Sequence, residues 1–171
     1  QEYKTAIFAT TSIAELNAIA LNYEYTTDIE EETKHIILFV TGGGLYYLIE
    51  FLYKTLISGS PCHWSMFFLG GFCFVCIGLI NETFNWEQSL LEQGCIGALF
   101  ITTCELLLGC ILNIHLGLGI WDYSNVPFNF LGQICLPFSL LWIIIAIGAV
   151  ILDDYLRYWW FKEEKPHYKL I

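Results

Sequence analysis

Charge is scarce in this chain. Only 14% of its 171 residues are charged and 56% are hydrophobic, whereas an ordinary soluble domain carries about 25% charge. That deficit points to a membrane as solvent, with room for roughly four or five spans. Positive charge is scarcer still: seven Lys and Arg face seventeen Asp and Glu, for a formal charge of −10. Binding to nucleic acid through a basic surface is therefore not expected. No Walker loop, GxSxG or HExxH pattern occurs, so no standard nucleotide or hydrolase site can be argued. Methionine occurs once, at Met66. The numbering is thus expected to start inside a longer or processed chain, and the first 21 residues do not read as a secretory signal.

Seven cysteines make an odd set for a disulfide framework. Cys73, Cys76, Cys95, Cys104 and Cys110 fall inside apolar runs, where Cys acts as a small hydrophobe. Cys73-Phe-Val-Cys76 has CxxC spacing, but no second pair accompanies it. The reading is packing, with no metal or cofactor site.

Apolar runs of about 20 residues are what a spanning helix needs. Four qualify: Ile36–Ile57, Trp64–Phe84, Cys95–Leu116 and Leu136–Tyr155, the last continuing as an amphipathic tail through Phe161. The expected fold is an all-α membrane protein, a four-span bundle with an irregular, re-entrant loop before the last span. Residues 1–34 form an acidic segment, read as an interfacial helix plus linker. Residues 35–161 form the transmembrane domain, and 162–171 a cytoplasmic tail. SGSPCH makes a turn on Gly59 and Pro61, and NWEQSLLEQG a short polar helix ending at Gly94. Trp86, Trp121, Trp142, Trp159 and Trp160 read as an aromatic belt at span ends. Arg157, Lys162, Lys165 and Lys169 after the last span put the C-terminus in the cytoplasm, and four spans then put the N-terminus there too.

Each span carries a carboxylate whose helical neighbours are small. Gly94, Ala98, Thr102, Glu105 and Gly109 fall within about 80° of one another on a helical wheel, so Glu105 should face other helices. Gly71, Gly78 and Glu82 share a face, as do Ser139, Ala146 and Asp153. Gly43 precedes Glu50 by two turns, and Lys54 follows Glu50 in the favourable order for an ion pair. An ionisable residue at mid-membrane costs at least about 2.5 kcal/mol, which earns it a functional hypothesis. Glu50, Lys54, Glu105 and Asn113 are thus candidates for a polar path. Glu82 and Asp153 read as interfacial caps or topological markers.

The segment WDYSNVPFNFLGQIC is too punctuated to be helical. Pro127 pushes Val126 out of helical geometry, Asp122 and Ser124 can cap turns, and Asn129 can take a left-handed corner. Gly132 allows close backbone contact. Trp121, Asp122, Tyr123, Ser124, Asn129 and Gln133 are the candidate loop or gate residues.

Those residues carry a resemblance. Glu105 and Gly109, Trp121-Asp122-Tyr123-Ser124, Pro127-Phe128-Asn129, Gly132-Gln133-Ile134-Cys135-Leu136 and Phe138-Ser139-Leu140-Leu141-Trp142 are similar to a bacterial family of small integral membrane proteins labelled ABC-transporter permeases, the CmpB-like group. The likeness covers roughly residues 40–160. Gln133 stands where the family pattern has Arg in a Gly-Arg-Ile-Cys element, so an ion pair anchored there is lost. The resemblance implies a permease-like transport component of a bacterial inner membrane. A separate ATPase would drive it, and lipid and a second copy or partner subunit would surround it. The alternative is a non-catalytic assembly subunit whose acids serve helix pairing only. An intramembrane enzyme using Glu105, His115 and Asp122 is a third reading, and it lacks a nucleophile or metal.

Overall fold

The computed structural model describes residues 13–84 and 88–169, and these are mostly α-helical. The chain divides into two units, residues 1–37 and 38–171. Helix α1 runs from Ile13 to Tyr53, 41 residues. No Gly or Pro lies between residues 22 and 34, so nothing stops the helix where the sequence suggested a linker. In the first unit Lys34 pairs with Glu31 one turn earlier, at 2.9 Å. The helix then widens into a π-helical turn, Lys54–Ser58, closed by Gly59 in the left-handed conformation.

Helix α2 (Ser65–Gly78) and helix α3 (Ile80–Phe84) are separated only by Leu79. The hydrogen bonds Leu79 N–H to Val75 O (3.1 Å) and Thr83 N–H to Leu79 O (3.0 Å) carry the ladder across the join. Helix α4 (Leu90–Gly109) continues as a second π-helical turn, Cys110–His115. A two-stranded antiparallel hairpin follows, β1 (Asn129–Phe130) on β2 (Ile134–Cys135), and then helix α5 (Leu136–Phe161).

Gly94 does not end a helix, as the sequence suggested; it lies inside α4. Ser89 starts the helix instead, through a capping box: its Oγ accepts from Glu92 N–H at 3.3 Å and its N–H donates to Glu92 Oε2 at 2.8 Å. Ser-Leu-Leu-Glu is the sequence signature of that box. Residues 85–87, including Trp86, lie outside the described residues.

Three helical segments are long and apolar enough to cross a membrane: Glu30–Ile57, Leu90–His115 and Leu136–Phe161; Ser65–Gly78 is apolar but shorter. Their outer faces expose Leu56 (78%), Leu99 (71%) and Ile144 (69%). Water would not tolerate so continuous an apolar face, and lipid requires one. The chain is an integral membrane protein.

Small residues set the helix spacing. A Cβ on Gly43 would lie 2.5 Å from Phe67 O, and one on Gly71 would lie 2.7 Å from Phe39 O, so α1 and α2 meet backbone to backbone. Gly94 seats Ile147, Gly97 seats the Ala146 methyl, and Gly78 lies against the Asp153 carboxylate. Ala98 and Ala146 are buried in the core with Met66, Cys73, Ile77 and Val150. Hydrogen bonds also fix which ends lie together. Lys54 Nζ donates to Ile120 O at 2.9 Å, joining the end of α1 to the loop after α4. Leu90 N–H donates to Lys169 O at 2.7 Å, joining the start of α4 to the tail after α5.

Candidate functional site

The loop between α4 and α5 folds around Gln133, which is 5% exposed. Its Oε1 accepts from Asn113 Nδ2 at 2.8 Å, its Nε2 donates to Leu131 O at 3.2 Å, and its backbone carbonyl accepts the Trp121 indole N–H at 3.0 Å. Asn113 Oδ1 in turn accepts Ile120 N–H at 2.7 Å. Gly109 lacks the Cβ that would collide with the Gln133 side chain. One neutral amide thus ties the end of α4 to the hairpin.

Asp122 Oδ1 accepts from Ser124 Oγ (2.5 Å) and from Ser124 N–H (2.8 Å). Those two bonds hold the Asp122 carboxyl below the usual range. Asn129 Nδ2 donates to Val126 O at 2.9 Å and Ser124 O at 3.2 Å, and its Oδ1 accepts Gly132 N–H at 3.2 Å. Asn129 lies in β1, so it does not take the left-handed corner. Phe128 (φ 56), Leu131 (φ 54) and Gly132 (φ 67) do. Two bulky apolar residues at positive φ are costly conformations, found where surrounding structure over-determines them.

Beneath the loop, Trp142 donates its indole N–H to Glu105 Oε2 at 2.7 Å, with both side chains buried. Trp142 is therefore a core partner of a carboxylate and not a member of an interfacial belt. Tyr123 stacks on Phe138 with ring centroids 4.9 Å apart. Burial, then the Glu105 and Glu50 carboxylates, push the Tyr123 phenol up, so it stays protonated. Glu50 pairs with Lys54 at 3.4 Å. Among the described residues no Lys, Arg or His nitrogen lies within ion-pair distance of Glu105. A cavity of about 400 Å³ abuts Glu105 and Trp142 among α1, α2, α4 and α5.

At the opposite end of the bundle the sequence reading missed a cluster. Asp153 is fully buried and Arg157 2% exposed. Arg157 Nε donates to Asp153 Oδ2 at 2.5 Å, Nη1 meets Glu82 Oε1, and Glu163 Oε2 lies 3.8 Å away. Arg157 is a buried hub, not only a topological marker, and Asp153 is no interfacial cap. The signal was legible: Asp153 and Arg157 stand four residues apart on the stripe that holds Trp142, Ala146 and Val150. Next to it, Tyr168 donates to Asp154 Oδ2 at 2.9 Å. His115 is exposed, and among the described residues no three His, Cys, Asp or Glu side chains converge to hold a metal ion.

Residues 35–165 match the model of the family described as "Putative ABC-transporter type IV". The chain belongs to that family. No curated protein and no solved structure matches it. The ABC-transporter type IV match takes in the Gln133 lattice, Glu105 with its cavity, and the Arg157 hub. It leaves out residues 1–34 and the Tyr168 hydroxyl that closes the tail onto Asp154.

Proposed function

We propose that this chain is a membrane-embedded, permease-like component of an ABC-type transporter, with Glu105 at the inner end of a polar path. The observation that carries the reading is the placement of Glu105. It is buried, held by an indole N–H and, among the described residues, by no cation, and lies beneath a chain of polar groups: Lys54 and Glu50, Asn113 and Gln133, then Tyr123. An acid kept only for helix pairing would have its counter-charge, as Asp153 has Arg157. The non-catalytic assembly reading accounts for Glu82 and Asp153, for the glycine contacts and for the Glu105–Trp142 bond between α4 and α5, but not for a buried carboxylate that faces a cavity of about 400 Å³.

Ser65–Phe84 taken as one rod rises about 30 Å, enough for a fourth crossing. Four crossings accord with the end-to-end contacts: Lys54 with Ile120 at one end, Glu82 with Arg157 and Leu90 with Lys169 at the other. The first end is outer, and the loop at 119–135 is its re-entrant gate. The second end is cytoplasmic, with both termini on that side of a bacterial inner membrane. Residues 1–34, 35–161 and 162–171 act as acidic extension, transmembrane domain and tail. The ATPase is a separate protein that docks near Ser89, Glu92 and the tail. The transporting unit holds a second copy or another membrane subunit.

The test is aqueous access to position 105. Glu105→Cys in an otherwise cysteine-free chain should react with a membrane-impermeant thiol reagent added from the outer side. A position sealed from both sides refutes the path and leaves an assembly subunit.

A further inference from the structure

The cavity beside Glu105 opens through the side of the bundle. Its lining from α2 and α4, including Cys73, Phe74 and Glu105, is buried throughout. Its exposed lining comes from α1 and α5 alone: Leu45, Ile49, Ile145 and Gly148. The mouth therefore lies between those two helices, in the apolar wall, and its rim is hydrocarbon. A hydrated ion arriving from either aqueous end would not meet this mouth. A molecule dissolved in the acyl region would.

The floor has a different chemistry. Glu105 presents a carboxyl, and the Tyr46 and Trp142 rings stand beside it with centroids 6.2 Å apart and planes inclined by 48°. Aromatic faces around a carboxylate favour a cation by about 0.5–2 kcal/mol per ring. The nearby Lys54 does not satisfy Glu105, since Glu50 and the Ile120 carbonyl hold its ammonium. A volume of about 400 Å³ is within the range of roughly 300–1,000 Å³ typical of small-molecule sites.

We propose that this cavity binds hydrophobic organic cations, such as quaternary or protonated amines with apolar substituents, that enter sideways from the bilayer and place their charge on Glu105. The proposal deepens the reading of Glu105 as the functional acid and names the ligand class.

Two shape-matched ions test it. Tetraphenylphosphonium and tetraphenylborate differ in charge and hardly in size. The full chain in detergent micelles should bind the phosphonium saturably and gain thermal stability from it, and should bind the borate no better than empty micelles do. Glu105→Gln should weaken phosphonium binding by about tenfold or more. A Cβ on Gly148 meets nothing within 4 Å, so a side chain can start there without a clash, and Gly148→Phe at the mouth should abolish binding. Gly44 is equally open but does not line the cavity, so Gly44→Phe should bind normally. Equal uptake of both ions overturns the proposal, as does no uptake at all. Phosphonium binding that survives Gly148→Phe also overturns it; if that variant instead alters oligomeric state, the groove belongs to a second copy. Thiol access at position 105 separates the two claims. Access without phosphonium binding keeps the path and removes the ligand class. Binding without access keeps the lateral site and removes the path.

Discussion

Replacing Arg157 with Met should be among the most damaging single changes in the chain. Met fills much of the Arg stem's volume, so packing is largely kept and the charge alone is removed. Asp153, fully buried, then loses its Nε–H donor at 2.5 Å, and Glu82 loses its partner across the bundle. Removing one member of a buried pair costs about 3–5 kcal/mol, because the orphaned charge stays desolvated. For a chain of this length that corresponds to a melting point lower by about 6–20 °C. The assay is thermal unfolding in detergent, run as a double-mutant cycle with Asp153→Asn. The double variant has no orphaned charge on α5 and should recover more than half of the loss. A cost below about 1 kcal/mol for Arg157→Met, the value of an exposed pair, would refute the hub. So would losses in the two variants that simply add.

Three further outcomes follow from the loop and the helix contacts. Gln133→Leu removes the acceptor of Asn113 and the donor to Leu131, and should destabilise by about 1–3 kcal/mol, with faster proteolysis between residues 119 and 135. Gly71→Leu puts a side chain against the Phe39 carbonyl and should cost at least about 1–3 kcal/mol by overpacking, read as a lower melting point; Gly44→Ala, which meets open space, should be neutral. The Asp122 carboxyl is lowered by Ser124, first through its hydroxyl and then through its N–H. Its contribution to loop order is therefore fully present above the ordinary Asp value of about 3.9 and is lost only as pH falls below it through the folded value. Protection of the Ser124 amide, its exchange rate taken relative to that of an unstructured peptide at the same pH, should be flat from neutral pH to about 4 and fall below, and Asp122→Asn should remove that step.

Much of the helical framework could be read from the sequence because membrane helices advertise themselves by length and small-residue stripes. Gly71 and Gly78 lie at close helix contacts, Ala98 and Ala146 lie in the core, and Glu50 lies 3.4 Å from Lys54. Trp142 was harder. Its partner Glu105 is 37 residues away, and a Trp in the first two turns of a span reads equally well as an interfacial anchor. Gln133 was undervalued for another reason. Read against an Arg it looked like a loss, yet a neutral amide both donates and accepts, and so can bond Asn113 and Leu131 where a guanidinium could only donate. The bend of the loop onto Phe128 and Leu131 had no local signal, since apolar side chains are poor candidates for positive φ. The start of α4 was missed although Ser89 and Glu92 spell a capping box, because the polar run before Gly94 looked self-contained.

The long reach of the buried contacts also bears on how the protein is made. Glu105 leaves the ribosome well before Trp142, and Glu82 precedes Arg157 by 75 residues. During that interval the second and third apolar segments carry carboxylates, Glu82 and Glu105, whose partners Arg157 and Trp142 have not yet been synthesised. Lipid is a poor place for them to wait. The last helix is thus the element that closes the account for the earlier ones, and its arrival should release the nascent bundle from the insertion machinery. A chain ending at residue 135 should stay bound there or be degraded, and supplying residues 136–169 as a separate segment should rescue it.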